Sequence, residues 1–244
     1  TISADLQQVE TWVPRRVEYQ PETLDVSGVF DYWNIEFATP WLTVKQWRGF
    51  KGQFMYDIGA WLAFDGRNEL QVCILPVIVQ DEFCGAINAS LSSKSLLKYK
   101  NMPGDWVKDY GLFPYNVVEA MLPNCESRDI VLVEGPRDAL RLLRLGIPAL
   151  SILGTNNWSQ QKLELLLTLE PDRVILMMDA DSAGVKAQKA IFPALEGFTI
   201  RKICKLPEGH DPNSVPIEFL RTYVRQHNVA HTPVVPVDTS ALLI

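Results

Sequence analysis

Two short apolar runs, each ending on a carboxylate and turning at once into a helical pattern, constrain this chain more than any other feature. The first is Val131-Leu-Val-Glu134-Gly-Pro-Arg-Asp138-Ala-Leu and the second Val174-Ile-Leu-Met-Met-Asp179-Ala-Asp181-Ser-Ala-Gly184. Apolar runs of this length without alternation fit strands buried on both faces, as in a parallel sheet covered by helices. Side by side, two such strands place Glu134, Asp179 and Asp181 along one carboxyl edge, where open α/β sheets bind their ligands. Like charges about 5 Å apart at an effective dielectric near 20 repel by roughly 3 kcal/mol per pair. A hard divalent cation between the carboxylates relieves that repulsion, and Mg²⁺ is the usual one where phosphates are handled. The pattern therefore predicts a metal-dependent phosphoryl-transfer site.

The rest of the chain divides around this feature. Residues 1–20 are polar and irregular and read as an entry arm. From Leu24 to Leu122 short strands alternate with turns, an α+β pattern with aromatic residues between Phe30 and Trp61 as its core. Gln71–Val79 reads as a pair of strands broken by Pro76, with Glu82–Leu91 as the hairpin partner. The polar break Pro123–Asp129 marks a boundary, so an α+β unit is expected over residues 1–128 and an α/β unit over 129–215. Strands are predicted at 130–133, 149–153, 174–178 and 199–204, with helices at 137–145, 159–169 and 183–195 between them. Residues 216–244 read as a short helix over 217–227 followed by an extended, proline-bearing tail.

Composition sets limits on function. A net charge of −6 argues against tight, sequence-blind binding of nucleic acid through bulk charge, while leaving room for local basic clusters. The longest apolar runs are too short to span a bilayer, so no membrane partner is expected. Cys73, Cys84, Cys125 and Cys204 are scattered with no Cys-x-x-Cys pair, which fits free thiols in a reducing compartment and predicts no zinc. A chain that opens on Thr reads as a fragment or a processed product.

Four motifs of the second half, in order, resemble the Toprim domain, the metal-binding α/β module of topoisomerases, bacterial-type primases and some nucleases. They are Glu134-Gly135-x-x-Asp138, the turn Leu153-Gly154-Thr155, Asp179-x-Asp181-x-x-Gly184, and Leu206-Pro207-Glu-Gly209-His-Asp211-Pro212-Asn213. The resemblance covers about Asp129 to Val215 and implies a Rossmann-like parallel sheet flanked by helices. It assigns Glu134, Asp179 and Asp181 as catalytic residues, with Glu134 as general base or metal-linked acid–base group. Glu134, Asp138, Asp179, Asp181 and Asp211 become ligands of Mg²⁺ or Mn²⁺, two ions in all. The plainer alternatives are that Asp138 serves a helix N-terminus and Asp211 a turn.

The first half selects one branch of that family. Lys98-Tyr-Lys-Asn101-Met-Pro103 and the following Trp106-Val-Lys108-Asp-Tyr-Gly-Leu112 resemble segments of bacterial and phage-type DNA primases. The resemblance makes Lys98, Asn101, Lys108 and Arg137 candidates for holding nucleotide and template phosphates. The alternative for Lys94, Lys98 and Lys100 is a solvated loop. Arg137, Arg141 and Arg144 share one helix face and read as solvated, with Arg137, inside the acidic turn, the exception.

What is implied is a DNA-directed RNA polymerase of primase type, a nucleotidyltransferase that makes short RNA primers on single-stranded DNA from ribonucleoside triphosphates. It would work in the cytoplasm of a bacterial cell or a phage-infected host, with a replicative helicase as a further partner. Departures from the family pattern are Gly85-Ala-Ile-Asn-Ala89, where a hairpin arginine is usual, and Asn213, where a second aspartate is usual. No zinc-binding module precedes the core and the third subdomain is short, so a minimal core is expected. A Toprim nuclease and a non-catalytic replisome-binding module are the rival readings.

Overall fold

The computed structural model of the chain describes residues 26–66, 70–91, 99–196 and 201–223. The entry arm, Lys94, Lys98 and the proline-bearing tail lie outside them.

Helix α1 (Val26–Trp33) leads into a five-stranded antiparallel sheet whose strands neighbour one another in chain order: β1 (Ile35–Pro40), β2 (Trp61–Asp65), β3 (Leu70–Val79), β4 (Glu82–Ser90) and β5 (Tyr99–Asn101). Helix α2 (Gly52–Asp57) sits between β1 and β2. Strand β3 corrects the expectation of a broken pair: it is one continuous strand of ten residues. Its pairing with β2 ends at Ile74, so Pro76 lies beyond the last β2 partner, where a missing N–H is tolerated. The β3–β4 hairpin turns through Gln80 and Asp81, both at positive φ (52° and 66°), a two-residue turn that matches strand twist. As expected from the aromatic-rich stretch, Trp33, Trp41, Trp47, Phe50 and Trp61 are buried. The indole N–H of Trp47 donates to the Ser90 carbonyl and that of Trp106 to the Met102 carbonyl.

After α3 (Trp106–Asp109), α4 (Tyr115–Met121) and a 3₁₀ turn (Leu122–Asn124), the chain enters a four-stranded parallel sheet. Strands β6 (Asp129–Val133), β7 (Ala149–Ser151), β8 (Arg173–Leu176) and β9 (Arg201–Ile203) lie in the order β7-β6-β8-β9. Helices α5 (Pro136–Arg144), α6 (Gln160–Thr168) and α7 (Ser182–Ala194) make the crossovers, and α8 (Ile217–Tyr223) follows. Predicted and observed bounds of these elements agree to within about two residues where both are described. Pro136 opens α5 at its first turn, where a missing N–H is harmless, and Gly146 at φ +77° lies just past its end. Ser159 caps α6 by accepting from Lys162 N–H.

Period-two burial explains why β6 and β8 read as unbroken apolar runs. Ile130, Leu132, Val174 and Leu176 face one apolar cluster, together with Leu165 of α6 and Ile191 of α7. Val131, Val133, Ile175 and Met177 face the other, with Leu142 of α5 and Leu220 of α8. Both faces are covered. The larger cluster runs without interruption into the antiparallel half through Leu112, Phe113, Tyr115 and Val118. Phe113 and Ser151 exchange two backbone hydrogen bonds at the β7 edge (3.0 and 2.7 Å). Arg144 donates to the Gly49 carbonyl at 2.8 Å and lies over the Phe50 ring. Arg144 is exposed, as its solvated reading held, and the contact also ties α5 to the antiparallel half.

Gly85 on β4 is where the hairpin meets α3. A Cβ there would lie 2.3 Å from the buried Trp106 ring. Gly85→Ala is expected to destabilise the chain by about 1–3 kcal/mol in urea denaturation, as overpacked cores do. The double variant with Trp106→Ala should lose less than the sum of the two singles, because the clash is shared.

Candidate metal and nucleotide site

Strand order places the site. From β6 the chain crosses to β7 on one side, and from β7 it returns to β8 on the other, so the loops leaving β6 and β8 diverge. A crevice opens at the carboxyl ends between them. Leu132 pairs with Leu176, and Met177 N–H donates to the Leu132 carbonyl. Glu134 and the Asp179–Asp181 segment therefore leave the sheet at the same edge.

The backbone of Glu134 is held from β7. Its carbonyl accepts from the Ser151 hydroxyl at 2.8 Å and from Gly154 N–H at 3.2 Å. That is the physical work of the Leu153-Gly154-Thr155 turn, where Leu153 and Gly154 both adopt positive φ (59° and 115°). Asn157 donates to the Leu153 carbonyl, and Lys162 to the Ile152 carbonyl at 2.8 Å. Lys162 is wholly buried, and burial pulls its amine down to about 7 against an opposing pull from Asp109.

Two of the five carboxylates also terminate helices. Asp181 is the N-cap of α7 and accepts from Gly184 N–H at 2.8 Å. A Cβ on Gly184 would stand 2.2 Å from the Asp179 carbonyl oxygen, so glycine alone fits this close turn. Asp138, third residue of α5, accepts from the backbone of Gly135 at the N-cap, one half of a capping box. The helix-terminus role weighed for Asp138 from the sequence is thus present. Asp211 sits in a turn closed by Ser214, as the alternative for that residue held, and the turn is drawn to the edge. His210 carbonyl accepts from Ala180 N–H, and Arg141 donates to the carbonyls of Pro212 and Val215. Arg141 is therefore a clamp on the Asp211 segment, which corrects its reading as a solvated side chain.

Electrostatics join these groups into one site. The Glu134 carboxyl is pushed up to about 7 by burial and then by Asp179 and Asp181. Asp138 is also pushed up to about 7, by burial and then by Asp179 and Asp211, against the Gly135 N–H and Arg137. Asp179 is the neighbour common to both, with Asp181 on the Glu134 side and Asp211 on the Asp138 side. Among the described residues no three acidic, His or Cys side chains converge tightly enough to enclose an ion. The carboxylates stand along an edge and not as a closed cage, and the two capping contacts hold Asp138 and Asp181 toward their helices. The donor set still fits a hard cation. Glu134 Oε2 and Asp211 Oδ1 are buried with no hydrogen-bond partner. Buried carboxylate oxygens of this kind require a donor or a cation. All-oxygen ligands suit Mg²⁺ or Mn²⁺.

Comparison with known proteins agrees with this geometry. The Toprim-like family matches residues 131–215. A DNA primase of Haemophilus influenzae is 31% identical over 135 residues, 53% of this chain and 21% of that protein. The gene 57 protein of Mycobacterium phage D29 is 31% identical over 118 residues, 48% of this chain and 69% of that one. The primase fragment of the bacteriophage T7 primase–helicase protein has the same fold, with a TM-score of 0.55 at 21% identity over 80% of this chain and 75% of that one. The chain belongs to the Toprim-containing DNA primase cores. It spans about a fifth of the length of the curated primases it matches.

Within this primase core the remaining candidates are dispersed. Arg137 reaches the acidic edge, where it acts on Asp138. Asn101 is half-buried on β5, opposite Ile87 of β4, and Lys108 is exposed on α3. Lys98 falls outside the described residues. Two residues that sequence reasoning passed over belong to the site's surroundings: Ser151 and Lys162, which hold the β7 end. Lys162 had no signal, since a Gln-Gln-Lys-Leu-Glu stretch reads as a wet helix face.

The raised carboxyls have a pH consequence. In the metal-free folded chain Glu134 and Asp138 keep their protons to about pH 7, whereas unfolded carboxylates release them near pH 4. The folded state binds more protons in that window. Their contribution to stability is then complete below about pH 4 and is lost as pH rises through about 7. Urea midpoints measured across that range should fall with pH, and Asp138→Asn should flatten part of the slope.

Proposed function

We propose that this chain is the catalytic core of a primer-synthesising enzyme that joins ribonucleotides on a single-stranded DNA template. The observation that carries the reading is the crowding of Glu134, Asp138, Asp179, Asp181 and Asp211 at the β6–β8 crevice, with partnerless buried oxygens on Glu134 and Asp211. In the reaction the 3′-hydroxyl oxygen of one nucleotide bonds to the α-phosphorus of a second. The bond from that phosphorus to the β-phosphate bridging oxygen breaks, and pyrophosphate leaves. The hydroxyl proton passes to a base, and Glu134, at the edge beside Asp179 and Asp181, is assigned to take it.

Asp179 and Asp181, with Glu134, would hold one divalent ion, and Asp138 and Asp211 would support a second. Such ions, when bound, stabilise the charge on the attacking and leaving oxygens. The protein's own part is placement. Ser151 and Gly154 fix Glu134, the α7 cap fixes Asp181, and Arg141 fixes the Asp211 turn. Lys98, Asn101, Lys108 and Arg137 are assigned to phosphate contacts with template and nucleotide. A replicative helicase is assigned as partner, on the strength of the T7 relative's description as part of a primase–helicase protein.

The test is RNA synthesis on single-stranded DNA with ribonucleoside triphosphates and Mg²⁺ or Mn²⁺. Wild type is expected to make short products, and Asp179→Asn to lose at least about a hundredfold in rate, because charge neutralisation by bound metal is the main contribution. A fully active Asp179→Asn would contradict the assignment. Cleavage of labelled nucleic acid without nucleotides, and no synthesis, would move the chain to the nuclease reading.

A further inference from the structure

A wholly buried lysine is costly to keep, because its ammonium gives up water and an uncharged side chain of equal length would pack at lower cost. Lys162 of α6 is fully buried, and neither the carboxylate edge nor the assigned phosphate contacts use it. What distinguishes it is the atom it touches. Its Nζ donates to the Ile152 carbonyl at 2.8 Å, at the end of the strand that supports Glu134.

The Ile152 carbonyl and the Leu153 N–H belong to one rigid peptide. Lys162 holds that peptide by its oxygen, and the Ser151 hydroxyl holds it by its N–H (3.1 Å). The same hydroxyl donates to the Glu134 carbonyl at 2.8 Å. On either side, Ile152 N–H donates to the Val133 carbonyl (3.0 Å) and Gly154 N–H to the Glu134 carbonyl (3.2 Å). Both peptide planes that flank the Glu134 Cα are thereby fixed by residues 151–154, and with them the direction in which its side chain leaves the strand.

The holding segment is itself strained. Leu153 has a φ of +59°, which a leucine adopts at a cost and keeps only where its surroundings enforce it. Asn157 grips the Leu153 carbonyl, and Gly111 lies so close that a Cβ there would stand 2.9 Å from Leu153 Cδ1. Lys162 is the charged member of this grip, and a charged donor makes the stronger hydrogen bond. Asp109 of α3 favours that charge.

We propose that Lys162 is a positioning residue for Glu134. Its ammonium locks the Leu153–Gly154 turn in the strained form, and that turn aims the Glu134 carboxylate at the reacting nucleotide. Sealed in the core, Lys162 touches no substrate. The proposal rests on the nucleotide-joining reading above for the reaction that Glu134 serves, and not for the hold on its backbone.

Amide hydrogen exchange of the full chain, followed residue by residue by NMR, reads that hold directly. Lys162→Met keeps the length of the side chain and removes the donor. The urea midpoint should stay near that of wild type, because relief of a buried charge offsets the carbonyl left unpaired. The Leu153 and Gly154 amides should exchange about tenfold faster, the worth of one charge-assisted hydrogen bond, with Val131 and Ile175 changed by less than about twofold. In primer synthesis kcat should fall about tenfold while KM for nucleotide stays within about twofold, the signature of lost placement and not of lost binding. A lysine with a purely structural role would move all these amides together and leave kcat alone. That outcome overturns the proposal, as does unchanged exchange at Gly154 or a loosened turn with kcat unchanged. If Lys162→Met does not fold, Lys162→Gln, whose amide stops one bond short of the Ile152 carbonyl, decides by the same comparison. A wild type that makes no primers, with Gly154 still loosened in Lys162→Met, would count against the reaction and not against the hold on Glu134.

Discussion

Repulsion among carboxylates that are also partly shielded from water is the interaction on which the rest of this structure depends. Burial alone makes a negative carboxyl expensive, and a second negative neighbour makes it more so. At the β6–β8 crevice both act at once on Glu134 and Asp138, and Asp179 is the neighbour they share. A fold keeps such an arrangement only if the surrounding structure over-determines it. Ser151 and Gly154 hold the Glu134 backbone, and His210 and Arg141 hold the Asp179 and Asp211 segments from the far side. The parallel sheet, covered on both faces, gives the rigid base from which those loops depart.

Helix capping and the proposed metal binding use the same side chains. Asp181 and Asp138 each satisfy a backbone N–H at the start of a helix. The helix N-termini in turn favour negative charge. Capping orients these carboxylates at the edge without any ion, and leaves Glu134 Oε2 and Asp211 Oδ1 buried and unsatisfied. In the antiparallel half the Gly49 carbonyl accepts from Arg144 of α5, so the two halves share both an apolar core and a polar tie.

Much of the parallel half was legible in the sequence because its signals are local. Continuous apolar runs ending on Glu134 and before Asp179 reflect burial of both strand faces, and Pro136, Ser159 and Asp181 mark helix starts by the groups they lack or supply. A shared edge for Glu134, Asp179 and Asp181 followed from setting the two runs side by side, while Asp138 and Asp211 came from the Toprim resemblance. The misreadings arose where a tertiary contact decides the outcome. Pro76 looked like a break because nothing local shows that the pairing of β3 with β2 ends at Ile74. Arg141 looked solvated because its acceptors, the carbonyls of residues 212 and 215, are distant in sequence. Lys162 gave no signal in the sequence, since the acceptor that lets it be buried, the Ile152 carbonyl just past β7, is supplied by another element.

The central claim is that the β6–β8 edge is a divalent-cation site made by this chain's carboxylates. Anomalous diffraction from crystals of the protein soaked in Mn²⁺ tests it most directly. The account predicts a manganese peak within coordination distance of Glu134 and Asp179. Well-ordered carboxylates with no peak between them, or manganese bound only at other surfaces, would contradict it.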